Sequence, residues 1–289
     1  MVSSWIIWIH STTSIGILAV ILNIYQIVVT VKKQRRRGWN NPPGLLILSL
    51  SCADLLTGLA VVMNDLVYTF SGFGDPNSVP LKIMYIWGRI WLVIISYTLL
   101  NSLLHMIALT AERVFALGFP FRHLTTMSTN VQVLKVLASI WLLSLLAGLS
   151  LWKTVYFEIK SVIILFTGAF FAVANFYIFR KIQRVSALQH QSIGVGAEES
   201  TGNSIVEVHK RIFKKEMRAA IYCACVVIAF VICSFPMAIN TLLNGNDPRV
   251  VFTRITWSLM IFNGVCNPLL FIMRYKIVSQ SYRQMPSTP

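Results

Sequence analysis

The chain alternates long apolar runs with short polar stretches, and the runs are too long for an ordinary globular core. Residues 5–31 contain no Asp, Glu, Lys or Arg, and similar runs recur at 43–70, 82–115, 131–152, 161–184, 210–244 and 250–274. A bilayer core needs roughly 20 mostly apolar residues per crossing helix, so each run is long enough to cross. The runs lack the two-residue alternation of a closed barrel, which leaves helices as the only way to satisfy the backbone in lipid. The pattern predicts an all-α membrane protein: one seven-transmembrane helix bundle over 1–289, with a flexible loop at 185–209. The tail after Tyr275 carries Ile277, Val278 and Tyr282 in an amphipathic arrangement and predicts a short eighth helix.

Composition narrows the class. Apolar and aromatic residues make up 56% and charged residues 12% of the 289, against roughly 25% charged in soluble domains. A soluble enzyme and a disulfide-rich secreted module are both excluded. The net charge of +15 would suit nucleic acid, but its placement says otherwise. Nineteen of the 25 Lys and Arg residues fall on one side of the seven runs, and only Lys82, Arg89, Lys153, Lys160, Arg249 and Arg254 fall on the other. Such asymmetry marks the cytoplasmic face, so a multi-pass plasma-membrane protein with its N-terminus outside and C-terminus inside is expected, with lipid and not nucleic acid around it. No basic segment precedes Trp5, so the first run is expected to serve as a signal anchor and not as a cleaved leader. All five cysteines lie within the runs.

An ionisable residue inside a membrane helix is costly and therefore informative. Asp54 stands mid-run, where it reads either as a hydrogen-bonded group satisfied by Asn or Ser or as a cation or proton site. Glu112 and Arg113 close the third run, and Pro120-Phe121 follow. From here the chain resembles the rhodopsin-like (class A) G-protein-coupled receptors, whose third helix ends in an acid-Arg-Tyr triplet. Val114 replaces the tyrosine. The resemblance continues through Asn23, Leu50-Ser51-Cys52-Ala53-Asp54, Trp141, Phe230 with Cys233-Ser234-Phe235-Pro236, and Asn267-Pro268-Leu269-Leu270-Phe271.

That resemblance implies a receptor that turns extracellular ligand binding into heterotrimeric G-protein activation by outward movement of the sixth helix. Its coupling and switch residues would be Glu112, Arg113, Pro120, Phe121, Glu216, Pro236, Asn267 and Pro268, with Arg113 paired to Glu112 and within reach of Glu216. Asp54, Ser102, Asn263 and Asn267 would hold a sodium ion as an allosteric ligand, since an all-oxygen set suits a hard cation. No other cofactor is implied. Asp65, Trp91, Ile95, Ser96, Leu99, Met237, Asn240 and Trp257 would line the ligand pocket, with Tyr68 and Arg254 nearby.

Departures from the family bear on the ligand. Gly88 and a cysteine-free second loop remove the usual outer disulfide, Ala169 stands near the expected fifth-helix proline, Ser234 replaces a tryptophan and Phe271 a tyrosine. An amine receptor is expected to have an aspartate where Ile95 stands, and an opsin needs a lysine absent from the last run. A small-molecule, lipid-like or peptide ligand remains, as does a constitutively active receptor. An ion-coupled transporter using Asp54 is the competing reading, opposed by the odd number of runs and the absence of repeats. No nucleophile and base are placed for catalysis, so a non-enzyme is expected.

Overall fold

Among the described residues, seven helices carry the fold of the computed structural model: α1 (Val2–Arg36), α2 (Pro42–Phe70), α3 (Leu81–Gly118), α4 (Asn130–Ser150), α5 (Tyr156–Val195), α6 (Asn203–Asn244) and α7 (Val251–Arg283). The structure describes residues 2–36, 38–39, 42–70, 81–119, 130–150, 156–195, 203–244 and 251–283. Side chains are described at 8–36, 38–39, 43–70, 83–119, 130–150, 161–184, 221–243 and 251–273, apart from Met84 and Cys223. All seven helices contain a stretch long and apolar enough to cross a membrane. Large apolar side chains point outward along them: Ile21 and Tyr25 on α1, Leu142 and Leu146 on α4, Phe166 and Val173 on α5. Exposed leucine and phenylalanine in such numbers suit hydrocarbon, not water.

Two differences from the sequence expectation concern helix ends. α5 runs to Val195 and α6 begins at Asn203, so helix occupies most of the expected 185–209 loop. Hydropathy marks only what lipid must cover, whereas Ala, Leu, Gln, Lys and Arg just beyond α5's apolar part propagate a helix in water as well. The last helix continues unbroken to Arg283, and among the described residues no separate eighth helix is set off from it. α1 ends on a left-handed turn. Gly38 (φ 59°) and Trp39 (φ 62°) reverse the chain, and the Trp39 amide donates to the Gln34 carbonyl at 2.9 Å, satisfying an end carbonyl that the helix leaves open.

Packing is uneven around the bundle. α3 is the central helix, touching α2, α4, α5 and α6. α1 and α2 approach closely because Gly16 and Gly58 face each other: a Cβ at 58 would lie 2.9 Å from the Gly16 carbonyl oxygen. Small residues at such crossings let membrane helices gain dispersion contact that lipid does not offer. α4 buries a single stripe, Val133, Leu137, Ile140, Ser144 and Gly148, and packs it on α3, where Tyr97 sits against Gly148. α5 packs on α3 and α6 through a cluster around Phe171, Phe230 and Met106. Among the described residues α4 and α5, although consecutive, barely touch one another.

Candidate functional site

Asp54 lies at the centre of the bundle, 2% exposed. One carboxylate oxygen accepts the Ser102 hydroxyl at 2.8 Å and the other accepts the Asn267 amide at 2.8 Å. Helices α2, α3 and α7 thus meet on one carboxylate. α7 packs on Asp54 at Gly264, where an added Cβ would rest in ordinary contact, 3.8 Å from that of Asp54. Asn263 is buried on the same cavity wall, and its Oδ1 accepts no hydrogen bond. A buried acceptor without a donor is costly, so Asn263 and the spare lone pairs of Asp54 together form an acceptor-rich pocket suited to a cation.

Pro268 shapes the neighbouring backbone. A proline has no amide hydrogen, so the carbonyl four residues earlier, that of Gly264, loses its helical partner. Asn23 on α1 supplies the missing donor, its Nδ2 reaching the Gly264 oxygen at 2.9 Å. Pro236 stands likewise inside α6. The ring of Phe235 covers Gly168 on α5 so closely that a Cβ there would meet it at 1.9 Å. Cys233 on α6 and Cys266 on α7 are free thiols on the two proline-bearing helices.

At the far end of α3, the Arg113 guanidinium pairs with the Glu112 carboxylate at 2.5 Å, and both side chains are largely buried. Pro120 and Phe121 lie outside the described residues. Glu216 is on α6, but its side chain lies outside the described ones. Tyr177 of α5 reaches this end of the bundle, its hydroxyl beside Gly118.

A second polar network, which the sequence reading did not assemble, joins α2, α3 and α4. His105 Nδ1 contacts the Asn101 carbonyl at 2.8 Å, and Nε2 contacts the Ser49 hydroxyl at 2.7 Å. Trp141 donates its indole N–H to the same hydroxyl at 2.9 Å. The carbonyl can only accept, so Nδ1 carries the proton, and Ser49 then donates to Nε2. A neutral histidine completes the set. The only sequence signal was one His and one Trp inside apolar runs.

The expected ligand-pocket residues come together, but as packing more than as a lining. Ile95, Met237 and Trp257 belong to one buried cluster, with Trp91 and Leu99 packed against it. The Trp91 and Trp257 rings lie 6.0 Å apart. Asn240 donates to the Thr253 hydroxyl at 3.0 Å, and Ser96 is buried nearby. Asp65 accepts hydroxyl hydrogen bonds from Thr12 at 2.9 Å and Thr13 at 2.8 Å, both on α1. Arg254 accepts the Trp8 indole N–H through its backbone carbonyl. A cavity of about 270 Å³ lies deeper, between Asp54, Ser234 and α5. Of the eight expected lining residues, Leu99 alone lines it.

Seven apolar helices gathered on a central aspartate, with an acid–arginine pair ending the third, have the architecture of a rhodopsin-like receptor. No family model matches the chain. Trace amine-associated receptor 7e of Rattus norvegicus is 25% identical over 294 residues, covering 90% of this chain and 77% of the relative. Trace amine-associated receptor 8c of the same species is 23% identical over 90% of this chain and 81% of the relative. Trace amine-associated receptor 9 of Homo sapiens is 23% identical over 91% and 80%. These similarities and the seven-helix bundle fit a divergent member of the rhodopsin-like G-protein-coupled receptors. These relatives and the seven-helix bundle favour a receptor over an ion-coupled transporter.

Proposed function

We propose that the chain couples an extracellular small-molecule ligand to nucleotide exchange on a heterotrimeric G protein at the plasma membrane, with its N-terminus outside and C-terminus inside, and catalyses no reaction itself. The observation that carries this reading is the Glu112–Arg113 pair at the end of α3, at the end of the bundle where Lys and Arg concentrate. While Arg113 is held by Glu112, that face stays closed, and Glu216, an acid on α6, is assigned the role of a second partner. Ligand binding favours the state in which α6 pivots outward about Pro236. Arg113 is then released, and Pro120 and Phe121 in the following loop meet the G protein. Asn267 and Pro268 pass the change along α7.

The residues around Asp54 fit a sodium ion, since Asp54 and Ser102 supply oxygens and the Oδ1 atoms of Asn263 and Asn267 have no donor, although the Asn267 amide nitrogen also turns to Asp54. Asp54, Ser102, Asn263 and Asn267 would hold it, and the ion would supply positive charge that keeps α2, α3 and α7 together in the resting state. The relatives are named for trace amines. Here Ile95, fully buried, stands where an amine receptor is expected to carry an aspartate, so an ammonium at that position would find no countercharge. Glu216→Ala is expected to raise ligand-independent nucleotide exchange, and Asp54→Asn to make exchange insensitive to sodium. Unchanged basal exchange and sodium response at equal surface expression would defeat the switch assignments.

A further inference from the structure

At the end of the bundle opposite Arg113, α1 and α7 leave a groove between them. Two hydrogen bonds pin the helices above and below it: the Trp8 indole N–H to the Arg254 carbonyl at 3.2 Å, and the Asn23 amide to the Gly264 carbonyl at 2.9 Å. Between those ties Ser11 and Ile15 of α1 face Ile255, Leu259 and Phe262 of α7 around a cavity of about 600 Å³. On α7 the lining residues recur every three or four positions from Val251 to Phe262. They form one stripe of the helix, about 16 Å long at 1.5 Å per residue. Both walls belong to segments apolar enough to cross a membrane, and Val251 and Ile255 are 62% and 53% exposed on the outer surface, so the groove opens to lipid. Its walls are mostly hydrocarbon and aromatic, and the charged residue among them is Arg254.

We infer that this groove binds an acidic, steroid-like amphiphile from the surrounding lipid, with its carboxylate on Arg254 and its fused-ring body along Ile255, Leu259 and Phe262. The order of head and body follows from α7: Arg254 lies near the start of the helix, and the apolar stripe continues from it toward the bilayer centre. A guanidinium has five N–H donors in a planar fork, which leaves room for both oxygens of a carboxylate beside any other contact it makes. The Trp8 indole and the Ser258 hydroxyl both donate to the Arg254 carbonyl, so the charged donor of the groove is the guanidinium. Among the described side chains Asp65 is the acid at this end, and it is turned to Thr12 and Thr13 and does not line the groove. A cationic amphiphile would meet Arg254 with like charge, and a neutral one would gain nothing from it. Size sets the body. A 150 Å³ cavity accommodates benzene, so 600 Å³ takes about twenty-four non-hydrogen atoms on the same ratio. One extended chain of that many atoms would overrun the groove, and a diacyl lipid is larger still. Fused rings bring the same number of atoms into the length available. The ties at Trp8 and Asn23 hold the groove ready-made, as small-molecule sites usually are.

This site does not depend on the receptor reading, so binding is read by mass and not by nucleotide exchange. The full chain in detergent is titrated by native mass spectrometry at about pH 8, where a carboxylate is ionised. The probes are 5β-cholanate, the alcohol made by reducing its carboxylate, oleate, and a diacyl phosphatidylglycerol. Saturable binding of one cholanate per chain is expected, with the alcohol, oleate and the diacyl lipid each weaker by roughly tenfold or more. Arg254→Gln should weaken cholanate by roughly tenfold and leave the alcohol as it was. Leu259→Trp, which fills the middle of the groove, should weaken cholanate and alcohol together, and it serves as the test if the first variant fails to fold. No saturable cholanate adduct, equal binding of the alcohol, or full affinity in Arg254→Gln or Leu259→Trp would each overturn the inference. Tighter binding of oleate or of the diacyl lipid would also overturn it, by showing that a chain and not a ring system fits the groove.

Discussion

The side of the bundle formed by α1, α2 and α7 is fastened differently from the side formed by α4, α5 and α6. On the first side, buried polar bonds cross every interface: Thr12 and Thr13 to Asp65, Asn23 to Gly264, Asn267 to Asp54. Gly16 and Gly58 bring two backbones into contact. On the second side, apolar rings make most of the contacts around Phe171 and Phe230, and α4 and α5 leave a seam. In a membrane, polar bonds and small-residue crossings hold helices in a fixed register, while large apolar side chains exchange one another for lipid at little cost. The fastened side is the frame, and the greasy side is held mostly by apolar contacts of the kind that lipid can replace.

Enlarging Gly58 attacks the frame most directly. Gly58→Leu must push against the Gly16 carbonyl, which is backbone and has nowhere to go, so a loss of about 1–3 kcal/mol or outright misfolding is expected. Gly88→Leu, where an added Cβ meets nothing, should leave surface expression and thermal stability unchanged. Equal effects from the two substitutions would break the comparison. Asn23→Ala comes next. It leaves the Gly264 carbonyl without a donor, at about 1–3 kcal/mol, seen as a lower melting temperature in detergent. Pro268→Ala restores a helical donor to that carbonyl, so the double variant should be less destabilised than the sum of the two. Strict additivity would show that the carbonyl is satisfied in another way.

On the mobile side, Gly168→Ala meets a flexible ring and not backbone, because Phe235 can swing away. We expect it to cost less stability than Gly58→Leu and to alter basal nucleotide exchange through α6. A stability loss as large as that of Gly58→Leu, with basal exchange untouched, would contradict the division. The smallest effect is predicted for Thr12→Val. Thr13 still donates to Asp65, and a single membrane hydrogen bond is worth about 0.6 kcal/mol. The Thr12→Val, Thr13→Val pair should cost more than twice the single change.

The sequence showed more of this division on one side than on the other. Seven helices and the depth of Asp54 were legible because hydropathy and an isolated charge are properties of single segments. Asn23, Asp54, Ser102 and Asn267 stood out as polar residues in apolar runs, and the structure gathers them near one point on α7. The partner of Asn23 was not legible, because it is a backbone carbonyl freed by a proline on another helix. Nor was the role of Ile95, Met237 and Trp257, which read equally as lining or as packing until the helices are placed. The seam between α4 and α5 leaves no trace in composition, since lipid-facing and seam-facing leucines are alike. The helical extensions at 185–195 and 203–209 lay outside what an apolar-run criterion measures.

Nucleotide exchange on a heterotrimeric G protein in membranes carrying the wild-type chain or Arg113→Ala at equal surface density tests the central claim most directly. The wild type should accelerate exchange, Arg113→Ala should bring it to the rate of membranes lacking the receptor, and Glu216→Ala should raise it above the wild type. A wild-type rate no higher than that of Arg113→Ala with every G-protein class would contradict the account.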